Sequence, residues 1–320
     1  LRLRKVAGNV AGLAFELYIR ALWPLPSRQK VAHLQWVRRR LPIALLGRWI
    51  HSCNHRLAPA DSLKLIDGLF GAYLQNPHLY RTRKPDGSNA TGTYSSPDMR
   101  DALNGALRAL EAEGISVFIC FGTLLGLVRE GAFMAHDGDI DLGVFWPETS
   151  ASATRAALKK AGYKILVFQR DPWPCRVKAQ RTATDPVLDI VFFRRDGDRL
   201  QTYTRCYGDL LIRNRSPFGL ERAELDGVPV RIPSPPELFL DENYEDWKER
   251  SAFHHYILTS PLTDFSRESV QLMLKSLLFI HLVQGNDRQY RGLKHVGMRA
   301  IPSDPLWQRL PCPAMSRVES

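Results

Sequence analysis

Long apolar runs are missing from this 320-residue chain: no window approaches 18 uninterrupted apolar residues. The best stretch, Val6 to Leu25, is broken by Glu16 and Arg20, which argues against a spanning helix. Its start is also too polar for a clear secretory leader. Paired cysteines are lacking too. Cys53, Cys120, Cys175, Cys206 and Cys312 are odd in number and scattered, with neither metal-ligand nor redox spacing, so reduced thiols are expected and a zinc site or disulfide framework is not. Acidic residues are scarce at one end. Residues 1–60 hold 11 Lys/Arg against the single acid Glu16, while the other 260 residues are nearly neutral, with 33 bases and 32 acids. The basic region suits a phosphate-rich ligand or an anionic membrane surface. Together these features lead to the expectation of a cytoplasmic protein, peripheral at the inner face of a membrane. The chain starts at Leu1 rather than Met, so trimming from something longer is expected.

What is present is a packed composition, 44% hydrophobic and 10% aromatic. No internal repeat is found. Residues 1–80 read as a basic helical region, with helical spacing at Val6, Val10, Leu13, Leu17 and Ala21 and a further helix over 61–75. Residues 81–96 are polar and rich in Gly, Ser and Thr, and read as a linker. From 97 to 250 helices and strands alternate. Ser96-Pro97-Asp98 opens a helix stopped by Gly114, and Ile115–Phe121 is β-rich. Thr123–Glu130 is a short helix closed by Gly131, and Ile140–Phe145 a strand. A helix over Thr149–Ala161 follows, then strands over Tyr163–Phe168, Cys175–Gln180, Pro186–Phe193 and Leu200–Tyr207. A hairpin is expected at Asp226-Gly227, and Ser234 to Glu237 reads as a capping box. Residues 251–320 form a C-terminal extension, helical over 265–284, with a basic, proline-bearing tail after Gly285. The fold class is mixed α/β (α+β), a mixed sheet with added helices at both ends.

The chemistry concentrates in Phe121 to Phe145, where Asp137, Asp139 and Asp141 stand at alternate positions. On a strand, Asp139 and Asp141 share a face while Ile140 and Leu142 turn into the core. Two adjacent carboxylates repel unless a cation lies between them. A hard divalent ion with oxygen ligands, Mg²⁺ or Mn²⁺, answers that need. Asp189, alone in the apolar run PVLDIVFF, supplies a third acid. Gly122-Thr123, between a strand and a helix, presents free backbone N–H groups to an anion. That order suits metal-assisted transfer of a phosphorus group. An EF-hand fails because its sixth position is Leu142 rather than Gly. A glycosyltransferase Asp-x-Asp site leaves Gly122-Thr123 and Asp189 unexplained.

These residues also carry a family resemblance. GTLLGLVREGAFMAHDGDIDLGVF resembles the core motif of the LicD/fukutin phosphotransferases, and PFGLERAELDGVPVRIPSPPELFLDENYEDW resembles their downstream block. The similarity spans about residues 97–250. It implies a nucleotidyltransferase-like catalytic domain that moves a phospho-alcohol of the ribitol-phosphate, glycerol-phosphate or phosphocholine type from a CDP-linked donor to a glycan or polyanionic polymer, releasing CMP. Carried over by position, Gly122 and Thr123 would meet the diphosphate. Asp139, Asp141 and Asp189 would be the metal and catalytic acids, with Asp189 a ligand or the base, and Arg129 would bind phosphate or the leaving CMP. Here His136-Asp137-Gly138 replaces the Trp-Asp of many members; His136 is a candidate phosphate contact and Asp137 a less secure ligand. Glu245-Asp246 stand where a Gly-Asp is common before Trp247. A nucleotidyltransferase that releases pyrophosphate and a non-catalytic polymer-binding module are the rival readings. Specific nucleic-acid binding is not expected.

Overall fold

A computed structural model describes residue 50, residues 58–75, 94–135, 137–170, 172–206, 209–249, residue 258 and residues 266–311. The expected basic helices of the first 49 residues, most of the 81–96 linker and His136 lie outside the described residues.

Helix α1 covers Pro59–Gln75. Helix α2, Ser96–Glu111, begins at a capping box in which the Ser95 hydroxyl accepts from the Asp98 amide and the Asp98 carboxylate accepts from the Ser95 amide. Reciprocal capping satisfies two amides that a helix start otherwise leaves open. Its apolar positions Met99, Leu103, Ala106, Leu107 and Leu110 form one buried stripe. Gly114, at φ 70°, then turns the chain in a conformation that glycine adopts without steric cost.

Strand β1 is only Phe118–Ile119, and helix α3 begins directly afterwards at Phe121–Glu130. The longer strand expected over 115–121 is cut short because Phe121 takes φ 43° and enters the helix. Strand β2 is Asp139–Trp146, helix α4 Ala151–Lys160, strand β3 Lys164–Gln169, β4 Arg176–Gln180 and β5 Val187–Asp196. These strands lie in the order β1-β2-β5-β4-β3. The β2–β5 pair is parallel and the other neighbours antiparallel, so the sheet is mixed, as expected. Strands β6, Arg199–Cys206, and β7, Asp209–Arg215, extend it from the end of β5. Strand β7 escapes the hydrophobic pattern because its inward positions include Arg213 and Arg215, both buried.

The hairpin at Asp226-Gly227 is formed by β8, Gly219–Leu225, and β9, Val228–Ser234. Helix α5, Pro236–Asp241, follows without the expected capping box: Pro235 is the cap, and the Ser234 hydroxyl bonds instead to Glu221 at 2.7 Å. Helices α6, Arg267–Gln284, α7, Asp287–Ala300, and α8, Leu306–Arg309, complete the described chain. Residues 287–300 and 306–309 of the tail after Gly285 are thus helical. The apolar stripe of α7 is thin (Tyr290, Leu293), with Gly297 beneath the Trp307 ring, where a Cβ would collide.

Two large apolar cores form among the described residues. One lies between the sheet, α2, α3, α4 and the β8–β9 hairpin; the other joins α1 to α6, α7 and α8. In the second, Lys275 is buried between Asp67 and Asp304, 2.7 Å from each. The first contains an unusual charge. Arg215 is fully buried, its guanidinium packed over Phe121, Phe193 and Phe239, with bonds to Thr202 at 2.6 Å and Asn243 at 2.5 Å. Burial lowers its pKa to about 9. Its ring contacts and two hydrogen bonds join β6, β7, α3 and the turn after α5. Arg215→Ala strands two buried polar partners and leaves a cavity, which together cost about 2–5 kcal/mol. Guanidinium denaturation should show that loss as a lower midpoint, with Arg215→Met recovering part of it; an unchanged midpoint would contradict this role.

Candidate functional site

The parallel pairing of β2 and β5 sets Asp141 directly beside Asp189, and the antiparallel pairing of β5 and β4 sets Lys178 beside Asp189. Asp139 joins the same face two residues before Asp141, with Ile140 and Leu142 fully buried on the other. One carboxylate oxygen each from Asp139, Asp141 and Asp189 lies within 4.8 Å of the others.

Asp141 is held from three sides by the β1–α3 turn. The Gly122 amide donates to Asp141 Oδ2 at 2.8 Å, Thr123 Oγ1 accepts the Asp141 amide at 2.9 Å, and the Cys120 amide donates to the Asp141 carbonyl at 3.1 Å. The positive φ of Phe121 aims this turn, a conformation that costs a non-glycine residue about 1–3 kcal/mol. Gly122 is required for a different reason: a Cβ there would lie 3.0 Å from an Asp141 oxygen and 3.1 Å from an Asp137 oxygen. The two residues expected to meet a diphosphate thus use their polar groups to hold an acid. Thr123 is buried, with its hydroxyl engaged by the Asp141 amide.

Asp189 is not an unpaired carboxylate. Arg176 Nε donates to its Oδ1 at 2.6 Å, Arg176 Nη2 to its Oδ2, and Lys178 Nζ lies 3.0 Å from Oδ2. Lys178 also reaches Asp139 Oδ2 at 3.2 Å. The Arg176 fork fixes the orientation of Asp189 and uses two of the roughly four lone-pair sites of a carboxylate. Arg176 and Lys178 were missed in the sequence. Their alternation in CRVKAQ was visible, but only the strand order brings it to the acids.

Arg129 stands apart. It lies seven residues beyond Gly122, about 10 Å along the helix axis. Its guanidinium bonds Glu130 Oε1 at 2.9 Å, Met134 Sδ at 3.1 Å and the Trp247 carbonyl at 3.5 Å. It therefore ties α3 to the Trp247 turn and is not brought to the acids. Trp247 Nε1 is itself fixed by Asp241 at 2.7 Å. A separate groove of about 580 Å³, lined by residues including Asn104, Arg108 and Arg181, contains none of the acids.

Burial, and then Asp139, raise the pKa of Asp137 to about 6. Burial also pushes Asp141 well up, with Asp139, Asp189 and Asp137 adding to it. Four carboxylates face two cations, so a negative excess remains when all are ionised. Ligands around an octahedral ion at about 2.1 Å stand about 3.0 Å apart when adjacent and about 4.2 Å apart when opposite. Asp139, Asp141 and Asp189 fit such an ion by donor type, and their oxygens, within 4.8 Å of one another, need only a small inward shift to hold it. Because Asp137 and Asp141 have raised values in the fold, the folded chain keeps protons that the unfolded chain has released. Stability of the metal-free protein therefore falls as pH rises from about 4 through about 6. Mn²⁺ should raise the melting temperature more at pH 8 than at pH 5.5, measured by thermal shift. Equal rises at both pH values would contradict the assignment.

Comparison with known proteins was made against families, curated proteins and solved structures. The family model described as LicD/FKTN/FKRP, nucleotidyltransferase domain, matches residues 114–234. No curated protein matches the chain. Among solved structures, the crystal structure of ANT(2")-Ia in complex with adenylyl-2"-tobramycin is similar at 13% identity, over 58% of this chain and 94% of that one. Its TM-score is 0.31, and that likeness carries no argument. The family match runs from the turn before β1 to the end of β9 and encloses all three converging acids. That segment, which holds both sheets and the acid site, is thus similar to the LicD/FKTN/FKRP nucleotidyltransferase domain.

Proposed function

We propose that this chain moves a phosphorylated alcohol from a CDP-linked donor to a hydroxyl of a glycan or polyanionic polymer, releasing CMP. Candidate alcohols are ribitol phosphate, glycerol phosphate and phosphocholine. The observation that carries the reading is the convergence of Asp139, Asp141 and Asp189 within a family-matched domain. Together the three would hold Mg²⁺ or Mn²⁺. Once bound, such an ion neutralises charge on the donor's bridging phosphate and on departing CMP.

The remaining work falls to the chain itself. The 120–123 turn fixes Asp141 before any ligand arrives, so little reorganisation is needed. Arg176 keeps Asp189 oriented. In the transfer, the acceptor oxygen forms a bond to the donor phosphorus, the bond to the CMP oxygen breaks, and the acceptor proton passes to a carboxylate. Asp139, at 34% side-chain exposure, can be reached by an acceptor hydroxyl; Asp189, at 1%, cannot. The helical unit of α1 and α6–α8 lies outside the matched segment and is assigned no part in the chemistry.

No helix among the described residues is long and apolar enough to cross a membrane. The basic composition of residues 1–60 supports peripheral contact with an anionic surface or product, at the inner face of a membrane.

The test is a panel of CDP-alditols, CDP-choline and nucleoside triphosphates, offered with Mn²⁺ and an oligosaccharide library. Metal-dependent CMP release with one CDP-linked donor is expected. Asp139→Asn should reduce it by about 10²–10³-fold, the scale of losing one electrostatic group at a transition state. Pyrophosphate release from a triphosphate would instead make the chain a nucleotidyltransferase, and activity unchanged by Asp139→Asn would leave the acids without a catalytic role.

A further inference from the structure

Lys178 touches two of the three acids that would bind metal. Its ammonium lies 3.2 Å from Asp139 Oδ2 and 3.0 Å from Asp189 Oδ2. Its place opposite Asp189 is set by the β4–β5 register, so the contact is built into the sheet. Arg176, two residues earlier on the same face, already forms a fork with Asp189. Asp189 therefore does not need Lys178 for a partner, whereas Lys178 is the one cation in salt-bridge reach of Asp139 among the described residues. A divalent ion drawing one oxygen from each acid would set two further positive charges beside this ammonium. Like charges brought this close repel strongly even at the effective dielectric of a protein surface. The two cations cannot share the position. Unlike the planar fork of Arg176, lysine carries its charge on a flexible four-carbon stem, and this side chain is 27% exposed, so it has a way out.

We infer that Lys178 is the resident counter-ion of the metal site and that a divalent ion displaces it onto the donor's phosphate. In the metal-free protein its ammonium balances Asp139 and Asp189. When metal takes those oxygens, the ammonium swings toward the mouth of the site and meets the diphosphate of the nucleotide donor. No covalent bond changes. Metal first competes with the lysine and then frees it, which makes the metal and the nucleoside diphosphate bind cooperatively. This inference rests on the metal-assisted reading proposed above. Lys178 is accordingly a positioning residue, and its role differs in sign from a structural one. A lysine that merely organised the carboxylates would help metal to bind, whereas a resident counter-ion opposes it.

Titration calorimetry with Mn²⁺ alone, on the full chain and on Lys178→Met, separates the two. Removing a competing charge in contact with two ligands should tighten Mn²⁺ binding by about tenfold or more. With Mn²⁺ saturating, the same variant should bind CDP about tenfold more weakly, having lost a charge-assisted phosphate contact. Lys178→Arg, which keeps the charge, should stay close to the parent in Mn²⁺ affinity and guards against a misfolded Met variant. Equal or weaker Mn²⁺ binding by folded Lys178→Met would overturn the inference while leaving the metal site itself intact. If neither protein binds Mn²⁺, the metal-assisted reading fails and the inference falls with it.

Discussion

The site depends on how the turn of residues 120–123 grips Asp141. Two amides and one hydroxyl from that turn reach the carboxylate, the amide and the carbonyl of a single residue on β2. This locks the start of α3 to the middle of the sheet and fixes the rotation of Asp141 about its strand. Asp139 follows through the two-residue repeat, and Asp189 through the register of β5. Beneath the turn, Phe121 packs on Arg215, whose guanidinium reaches Thr202 and Asn243, so the grip is braced from the core. Gly122 belongs to the same arrangement, because two carboxylates crowd the space where a side chain would begin.

Charge balance is the second constraint. A cluster of acids at a sheet surface would repel itself, and burial already pushes Asp137 and Asp141 toward their protonated forms. The protein answers with two cations of different character. Arg176 gives a rigid, bidentate partner to the deepest acid, and Lys178 a mobile one shared with the most open acid. Permanent and exchangeable neutralisation thus sit side by side on one strand. That division suits a site whose occupant arrives with its own positive charge.

Much of this was legible in the sequence wherever the signal was local. The alternation around Asp139 and Asp141, the Asp226-Gly227 hairpin, the Gly131 helix stop and the helix after Ser96 depend on neighbours within a few residues, and all are found. What escaped depends on distant pairing. Strand β7 was hidden because its inward Arg215 meets aromatic rings and a polar group from elsewhere in the chain. Asp189 looked unpaired because Arg176 and Lys178 reach it only through the β4–β5 pairing. Gly122 and Thr123, expected as the turn before a helix, are the second and third residues of α3, and their polar groups point to Asp141, which only the β1–β2 pairing reveals. Arg129 shows the converse: a motif position recognisable in the sequence can serve to tie a helix to a loop.

The central claim is that Asp139, Asp141 and Asp189 form one divalent-metal site. Anomalous diffraction at the manganese edge, from crystals grown with Mn²⁺ and CDP, tests it most directly. The account predicts a peak about 2.1 Å from one oxygen of each of these three aspartates. Manganese bound elsewhere, with none between the three acids, would contradict it.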